Sequence, residues 1–490
     1  MGLVETPTTY RNYIGNWVES GTAAVFRVEN PADTRDVIGF FQQSDEADVE
    51  KAVTTARAAF PDWRSTPAPQ RGEFMFRAAQ IIEDDFDGLV QLLTREVGKS
   101  LKDSSAEVRR TINVLRFLGG EGTRLAGETV PSWQQGVVAY TKRYPLGVVG
   151  VITPWNVPSA IAAWKIASAL VAGNTVIFKP SSLTPTSSLK LVQAFVDAGV
   201  PAGVLNFVTG PGGKVGNAIA AHPDVRAVSF TGSNSIGSAI NKVVTARGAR
   251  FQGEMGGKNP FIVMPDADLE LAVNDVIAGG LGEAGQRCTA TSRVLVFEEI
   301  ADKFTKMLVN RISSMKIGNP KEESVEMGPL ADEGQMNTSL HYIEVGKQEG
   351  ARLLCGGERL TEGDLAYGYY VAPTVFSGVV PDMTIAQDEI FGPVISVMTV
   401  HSFEQAIDWA NNIRYGLSST IYTNNYAKAT EFIDQIQAGL THVNMPTTYS
   451  EPQYPFGGIK ATGLGGVREQ GSTAMDFYTE WKTVYTKPKD

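Results

Sequence analysis

The chain has 490 residues, and 43 Lys and Arg side chains against 53 Asp and Glu give it a formal net charge of −10. A chain this acidic is a poor candidate for a general nucleic-acid-binding protein, although a local basic pocket for a phosphate or carboxylate is compatible with it. Two cysteines, Cys288 and Cys355, allow at most one bridge, which excludes a disulfide-stabilised scaffold and favours a reducing, cytoplasmic compartment.

Metal, membrane and secretion signals are also missing from the sequence. The four histidines are scattered without metal-ligand spacing, so we expect no metal site. The longest apolar region, residues 148–172, is interrupted by Pro154, Asn156, Pro158 and Lys165, so we expect a buried core rather than a membrane span. No basic region followed by an apolar run opens the chain, so no secretory signal is expected.

Two helical patterns occupy the first hundred residues, at 44–60 and 71–97, with Ser44 as the expected N-cap of the first. From residue 146 onward, short apolar strands alternate with helices. The expected strands are 146–152, 175–179, 204–208 and 227–230, and the expected helices are 160–172, 184–198, 213–221 and 235–245. This alternation predicts a parallel sheet covered by helices on both faces, which binds ligands at the carboxyl ends of its strands.

A second α/β stretch follows Cys288 and predicts a separate domain. Its expected strands are 292–297 and 417–422, and its expected helices are 301–315 and 404–412. Near the C-terminus, residues 477–486 alternate aromatic and polar side chains, which predicts a strand that is available to a partner subunit.

The segment 230–237 follows a strand and opens a helix, so Gly232, Ser233 and Gly237 are candidates for phosphate binding at a helix N-terminus. The spacing is not the usual G-x-G-x-x-G, and a simple strand-to-helix turn explains it equally well. Lys179 ends a predicted strand and points toward the ligand crevice, although most single lysines are simply solvated.

Cys288 and Glu254 supply a nucleophile and a candidate base. A thiol becomes a strong nucleophile once it is ionised, and a carboxylate can activate water. Taken alone, a cysteine near small residues such as Cys288 is more often a packed, inert thiol.

Seven segments in a fixed order resemble the NAD(P)-dependent aldehyde dehydrogenases. They are 153–158 (TPWNVP), 178–182 (FKPSS), 230–233 (FTGS), 254–258 (EMGGK), 285–288 (GQRC), 389–393 (EIFGP) and 455–458 (PFGG). The resemblance implies an α/β fold with a Rossmann-type parallel-sheet cofactor domain, an α/β catalytic domain and a small β oligomerisation element. The domains would span 1–126 with 146–256, then 257–465, and finally 127–145 with 466–490.

The resemblance also implies a mechanism. Cys288 would attack the aldehyde to form a thiohemiacetal, and Asn156 with the Cys288 backbone N–H would stabilise the oxyanion. Hydride transfer would leave a thioester, and Glu254 would activate the water that hydrolyses it. Glu469 matches a position that is linked to proton relay, although it is equally well read as a surface acid.

NAD or NADP is the implied cofactor. The matching cofactor positions are Thr153, Pro154, Trp155, Lys179, Ser182, Gly232, Ser233, Gly237, Gly256, Glu389 and Phe391. Many NAD-preferring relatives have Glu where this chain has Ser182, and a carboxylate there would repel a 2′-phosphate. Serine removes that repulsion, so we expect the chain to accept NADP.

The substrate is the least determined part of the resemblance. Several segments are most similar to the α-ketoglutarate semialdehyde (2,5-dioxopentanoate) branch, whose substrate carboxylate calls for an Arg or Lys, and Arg124 is the candidate. Some acid-semialdehyde relatives have Arg where this chain has Gly282. Succinate semialdehyde is an alternative, as is a neutral or aromatic aldehyde with Trp164, Tyr449 and Tyr454 as tunnel walls.

Two further alternatives concern the reaction itself. A CoA-acylating relative would typically lack the base at Glu254, and a non-catalytic structural descendant would not need Cys288, Glu254 and Asn156 together. The expected partners are a small aldehyde and further copies of the chain, as a homodimer or homotetramer paired through 127–143 and 477–486. We expect no nucleic acid or membrane partner.

Overall fold

A computed structural model describes residues 8–466 and 468–488 of the chain. The first seven residues of the expected cofactor domain, and residues 467, 489 and 490 of the expected oligomerisation element, lie outside the described residues. The helices are α1 (Glu46–Ser65), α2 (Ala68–Asp84), α3 (Phe86–Val97), α4 (Leu101–Glu121), α5 (Ala160–Ala172), α6 (Pro185–Asp197), α7 (Asn217–Ala221), α8 (Asn234–Ala246), α9 (Leu269–Gly280), α10 (Glu298–Ser313), α11 (Glu333–Gln348), α12 (Thr384–Gln387), α13 (Phe403–Asn411), α14 (Tyr426–Gln435) and α15 (Ala474–Tyr478).

The strands form five sheets. They are β1 (Asn12–Tyr13), β2 (Trp17–Val18), β3 (Val25–Asn30), β4 (Asp33–Gln42), β5 (Thr129–Val130), β6 (Val138–Pro145), β7 (Val148–Ile152), β8 (Thr175–Lys179), β9 (Leu205–Phe207), β10 (Val225–Thr231), β11 (Arg250–Glu254), β12 (Asn259–Val263), β13 (Thr291–Phe297), β14 (Arg352–Cys355), β15 (Thr374–Ser377), β16 (Val394–Val400), β17 (Tyr415–Gly416), β18 (Ser418–Tyr422), β19 (Leu440–Val443), β20 (Ile459–Lys460), β21 (Gly463–Leu464) and β22 (Thr479–Thr486).

The first large sheet has eight strands in the order β2-β1-β9-β8-β7-β10-β11-β21. Its five central strands are parallel, and the antiparallel strands β1 and β21 flank them. β7 and β8 are buried along their whole length, as expected of parallel strands with helices on both faces. The carboxyl ends of β8, β7, β10 and β11 therefore meet along one edge of the sheet.

Local sequence determines several boundaries in this half. α5 ends at Gly173, which adopts the left-handed conformation (φ 99°) that glycine permits without steric cost. The expected N-cap at Ser44 is wrong by one residue, because Asp45 accepts from Ala47 N and Asp48 N and forms a capping box with Asp48. The expected helix 71–97 is two helices, which meet at Asp85.

The second large sheet has seven strands in the order β14-β15-β16-β13-β12-β18-β19. All neighbours pair in parallel except β14 with β15. Its strands β12 and β13 begin at Asn259 and Thr291, so their amino ends lie next to segments 254–258 and 281–290. The chain crosses from the carboxyl edge of the first sheet into the second at this point.

A three-stranded antiparallel sheet, β22-β6-β5, joins the expected oligomerisation segments. The expected strand 477–486 begins later, at Thr479, because Met475, Phe477 and Tyr478 are buried in the core of the first half of the molecule. β21, from the segment expected in the catalytic domain, pairs with β11 of the first sheet. No helix in the described part of the chain is both long and apolar enough to cross a bilayer.

Candidate active site

The loop that carries Cys288 is held in an unusual backbone conformation. Glu283 and Ala284 adopt positive φ values of 52° and 54°, which non-glycine residues rarely do. Asn259 donates from its side-chain nitrogen to the carbonyl oxygens of Cys288 (2.9 Å) and Ala290 (2.8 Å). The amino end of β12 therefore fixes the position of the thiol.

Cys288 and Asn156 line one cavity of about 620 Å³. The Asn156 side chain is buried, and one of its amide hydrogens is donated to the Gln286 carbonyl oxygen at 2.9 Å. An amide nitrogen carries two hydrogens, so the second can donate to an oxygen bound near the thiol. Other residues that line the cavity are Val157, Ile161, Trp164, Thr289 and Phe456.

The tunnel-wall expectation is confirmed for Trp164 and is wrong for the two tyrosines. Tyr449 and Tyr454 line a separate depression of about 200 Å³, together with His442. Both tyrosine side chains are exposed, and Tyr449 donates its hydroxyl hydrogen to Glu451 at 2.8 Å. Phe456 supplies the aromatic wall that the sequence assigned to them.

The surroundings of Cys288 favour the neutral thiol. Burial raises the pKa of Cys288 to about 12, and the nearby carboxyls of Glu389 and Glu254 act in the same direction. Backbone N–H groups of Thr289 and Cys288 oppose the shift. An added positive charge or a base is therefore needed to ionise the thiol at neutral pH.

Glu254 is the last residue of β11 and is buried. Its two carboxyl oxygens accept from the backbone N–H of Gly458, at 3.3 and 3.1 Å. Gly457 allows this approach, because a Cβ there would lie 2.4 Å from the Glu254 Oε1 atom. Burial raises the pKa of Glu254, and the neighbouring Glu469 raises it further.

Glu469 is buried rather than on the surface. It forms an ion pair with Lys165 and accepts from the Trp164 indole N–H at 2.7 Å. Lys165 also donates to Ser229 Oγ at 2.9 Å. Lys165 was not predicted as a site residue, although a lone lysine within the apolar helix α5 signals a buried charge partner.

The expected cofactor segments converge at the carboxyl edge of the first sheet. Thr153 to Trp155 follow β7, Lys179 ends β8, and Gly232 with Ser233 follow β10. The Thr153 and Thr231 hydroxyl groups are buried there without a hydrogen-bond partner among the described residues. The N-terminus of α8 has no side-chain cap, so its N–H groups are also available. These unpaired donors suit the hydroxyl and phosphate groups of a dinucleotide.

Lys179 and Ser182 lie on the same side of this edge. Lys179 is buried and donates to the Pro180 carbonyl oxygen at 2.7 Å, and burial lowers its pKa to about 8. Ser182 is partly exposed and donates to the Gly210 carbonyl oxygen at 3.2 Å. Gly237 differs from these residues, because it is buried and a Cβ there would lie 2.5 Å from the Met255 sulfur. Its small size serves the packing of α8, so the expected phosphate contact at Gly237 has no support.

Glu389 and Phe391, in the segment before β16, lie beside Gly256 and Trp155 respectively. Glu389 accepts from the backbone N–H of Gly257 at 2.9 Å, and a Cβ on Gly256 would lie 1.9 Å from its second oxygen. Burial raises the pKa of Glu389 to about 7. Phe391 has a positive φ of 57° and meets the Trp155 ring edge-on at 5.5 Å between centroids. Gly256 thus makes room for a carboxylate beside the cofactor edge.

Arg124 does not reach the cavity, which corrects the substrate-binding expectation. It lies beyond the end of α4, its side chain is 56% exposed, and it forms an ion pair with Glu121. Arginines that do line the cavity include Arg110, in the middle of α4. No helix bounds were predicted between residues 97 and 160, so Arg110 could not be placed on the face of α4 that meets the active site.

Comparison with known proteins gives the family. The Aldehyde dehydrogenase family profile matches residues 17–484. The chain is 47% identical to the alpha-ketoglutaric semialdehyde dehydrogenase of Bacillus subtilis (strain 168) over all of both chains. It is 41% identical to the alpha-ketoglutarate semialdehyde dehydrogenase of Haloferax volcanii, which covers 97% of this chain and 98% of the relative.

A solved structure of similar shape contains the cofactor. The crystal structure of betaine aldehyde dehydrogenase from Staphylococcus aureus in complex with NAD+ superposes with a TM-score of 0.95 at 34% identity, covering 98% of this chain and 95% of that one. The profile, the relatives and the fold agree with the convergence of Cys288 and Asn156 on one cavity. The chain therefore belongs to the aldehyde dehydrogenase family and is an NAD(P)-dependent oxidoreductase that acts on aldehydes.

Proposed function

We propose that the protein oxidises a small semialdehyde that carries a carboxylate, with α-ketoglutarate semialdehyde as the first candidate, to the corresponding dicarboxylic acid. The observation that carries the reaction is that Cys288 and Asn156 line the same cavity while Glu254 is close enough to affect the pKa of the thiol. The named activities of the two relatives support the substrate class.

The first half-reaction uses Cys288 and Asn156. The Cys288 thiol gives its proton to water, the thiolate sulfur attacks the aldehyde carbon, and the carbonyl oxygen becomes an oxyanion. The free Asn156 amide hydrogen and the Cys288 backbone N–H donate to that oxyanion. These hydrogen bonds stabilise the oxyanion most strongly in a site that excludes water. NAD(P)+, when bound, accepts the hydride that leaves this carbon, and a thioester remains on Cys288.

The second half-reaction uses Glu254. As a carboxylate it takes a proton from a water molecule while the water oxygen attacks the thioester carbon. The C–S bond then breaks, which frees the carboxylic acid and leaves Cys288 as a thiolate. Glu469, which is paired with Lys165, is close enough to raise the pKa of Glu254, so a second buried carboxyl group lies near the base. We propose Glu469 as a proton acceptor behind Glu254.

The cofactor would be held by two sets of residues. Thr153 to Trp155, Lys179, Ser182, Gly232 and Ser233 would meet its adenosine and phosphate groups, and Gly256, Glu389 and Phe391 would meet its nicotinamide half. Ser182 carries no charge, so a 2′-phosphate meets no repulsion there. We therefore propose that NADP is used as well as NAD.

A panel of aldehydes assayed with both cofactors tests this function. We expect kcat/KM to be highest for α-ketoglutarate or succinate semialdehyde, to favour neither cofactor a hundredfold, and to give the free acid with or without CoA. A CoA thioester as product, or preference for neutral or aromatic aldehydes, contradicts the proposal. Cys288→Ala is the control, because it should bind cofactor without forming NAD(P)H.

We also propose that further copies of the chain cover the three-stranded sheet. Large apolar or aromatic side chains are exposed on this sheet, at Val130, Trp481 and Tyr485, and in its β5–β6 loop, at Trp133. β5 is also an edge strand with free backbone groups. Exposed apolar patches of this kind typically mark protein interfaces. Sedimentation of the purified protein distinguishes a homodimer from a homotetramer.

A further inference from the structure

Three arginines line the cavity that contains Cys288, and two of them are paired with carboxylates. Arg109 forms an ion pair with Glu83 at 2.8 Å. Arg287 pairs with Asp103 at 2.9 Å and with Glu283 at 2.7 Å. Two carboxylates balance the charge of Arg287, whereas Arg109 shares Glu83 with Arg116 and is half exposed to water.

The third arginine, Arg110, has only uncharged partners. It donates to the Ser450 carbonyl oxygen at 2.9 Å, to the Ser450 hydroxyl at 2.7 Å, and to the Gln470 side-chain oxygen at 3.2 Å. No carboxylate lies within ion-pair distance of Arg110 among the described residues. Glu451, at the cavity wall, accepts instead from Tyr449 and Gln453.

Burial makes this unpaired charge costly. Burial lowers the pKa of Arg110 to about 10, so the group still carries its charge at neutral pH. Its guanidinium carbon lies 5.6 Å from the Trp164 ring centroid. A partly desolvated cation gains free energy when an anion arrives, and its planar fork suits a carboxylate.

We propose that Arg110 determines specificity by binding the carboxylate of the substrate while the aldehyde end lies at Cys288. This inference rests on the proposed function, since it names the group that meets the acid end of a semialdehyde. It also accounts for Gly282, where some acid-semialdehyde relatives have an arginine. The cavity obtains its unpaired cation from α4 instead of from the Cys288 loop.

The test compares Arg110→Leu with Arg110→Lys, using α-ketoglutarate semialdehyde and pentanal. A charge-assisted hydrogen-bond pair accounts for about a 10- to 150-fold effect. We expect kcat/KM for the semialdehyde to fall by that factor in Arg110→Leu while kcat/KM for pentanal stays within about threefold. Arg110→Lys should recover part of the loss. Arg124→Leu, an exposed arginine beyond the same helix, should leave both substrates unchanged.

Pentanal turnover also reports folding and thiol activation, because Arg110 is close enough to interact with the charge of Cys288. Equal losses for both aldehydes in Arg110→Leu would overturn the inference and assign Arg110 to the thiol or to the fold. No loss for the semialdehyde would also overturn it, without affecting the proposed function.

Inhibition by glutarate separates the two proposals. Glutarate has a carboxylate at each end and no aldehyde, so it should compete with pentanal in the wild type and lose at least tenfold in affinity in Arg110→Leu. If the wild type oxidises pentanal in preference to the semialdehyde, the proposed substrate class is wrong. The loss of glutarate affinity in Arg110→Leu still decides, in that case, whether Arg110 binds anions. An unchanged inhibition constant would overturn the anion site.

Discussion

Two buried charge clusters support the two halves of the reaction, and they are built differently. The first, the loop cluster, lies under the nucleophile and consists of Lys99, Asp103, Glu107, Glu283 and Arg287. The second, the relay cluster, lies behind the candidate base and consists of Lys165, Glu254 and Glu469. The loop cluster alternates opposite charges, whereas the relay cluster puts two carboxyl groups beside one lysine.

The difference affects which groups can exchange protons. Burial alone would lower the pKa of Lys99, but Glu107 and Glu283 raise it, so it stays charged. Glu107 also accepts from the backbone N–H of Ser159 at 2.9 Å, at the start of the helix that follows Asn156. In the relay cluster, burial and a like charge raise the pKa of Glu254. The loop cluster therefore holds the segments around Cys288 and Asn156 in place, whereas the relay cluster contains Glu254, which can gain and lose a proton.

The largest effect is expected from Glu254→Gln, which removes the base and keeps an acceptor for the Gly458 N–H. Steady-state kcat should fall about 10²- to 10⁴-fold, the usual contribution of a general base. Because Glu254 acts after hydride transfer, a burst of about one NAD(P)H per active site should remain. Rapid-mixing absorbance measurements resolve the burst, and loss of the burst with kcat would place Glu254 in the first half-reaction instead.

Lys99→Met breaks the loop cluster and should act mainly on stability. Removal of the cation leaves Glu107 and Glu283 buried with less compensation, and breaking a buried pair costs about 3–5 kcal/mol. Thermal and denaturant unfolding measure this loss. Lys102→Met, at an exposed position on α4, is the matched control and should change the free energy of unfolding by less than about 0.5 kcal/mol. If Lys99→Met and Lys102→Met have the same free energy of unfolding, the loop cluster does not stabilise the fold.

Much of the first sheet could be predicted from the sequence because its elements carry local signals. β8 and α5 have the expected bounds, since a short apolar strand and a helix closed by Gly173 are both encoded within a few residues. No bounds were predicted for α4, so Glu107 and Arg110 on this helix, and Lys99 just before it, were not identified. The pairing of these charged side chains depends on contacts between segments that are far apart in sequence.

The site residues that could be predicted lie in short local motifs, and those that could not depend on contacts between distant segments. Cys288, Asn156 and Glu254 were identified because their motifs are short and ordered along the chain. Arg124 was chosen because it is a cation near the expected tunnel, and the direction of a side chain on a helix cannot be read without the bounds of that helix. Glu469 was read as a possible surface acid because its partner Lys165 lies 304 residues earlier in the sequence.

Glu469→Gln gives the smallest effect and tests the relay cluster directly. Glu254 must lose its proton to act as a base, so kcat falls as the pH drops through the pKa of Glu254. Glu469 raises that pKa, and Lys165 lowers it. A neutral glutamine removes the repulsion and leaves Lys165 unpaired, and both changes lower the pKa of Glu254. The acid limb of kcat should therefore move to lower pH, while kcat at high pH should fall by less than in Glu254→Gln, because water can still accept the proton that Glu469 would take. Asp476→Asn, which changes an exposed carboxyl group on α15, is the control and should leave the pH profile of kcat unchanged. If the pH profile of Glu469→Gln coincides with that of Asp476→Asn, Glu254 titrates independently of the relay cluster.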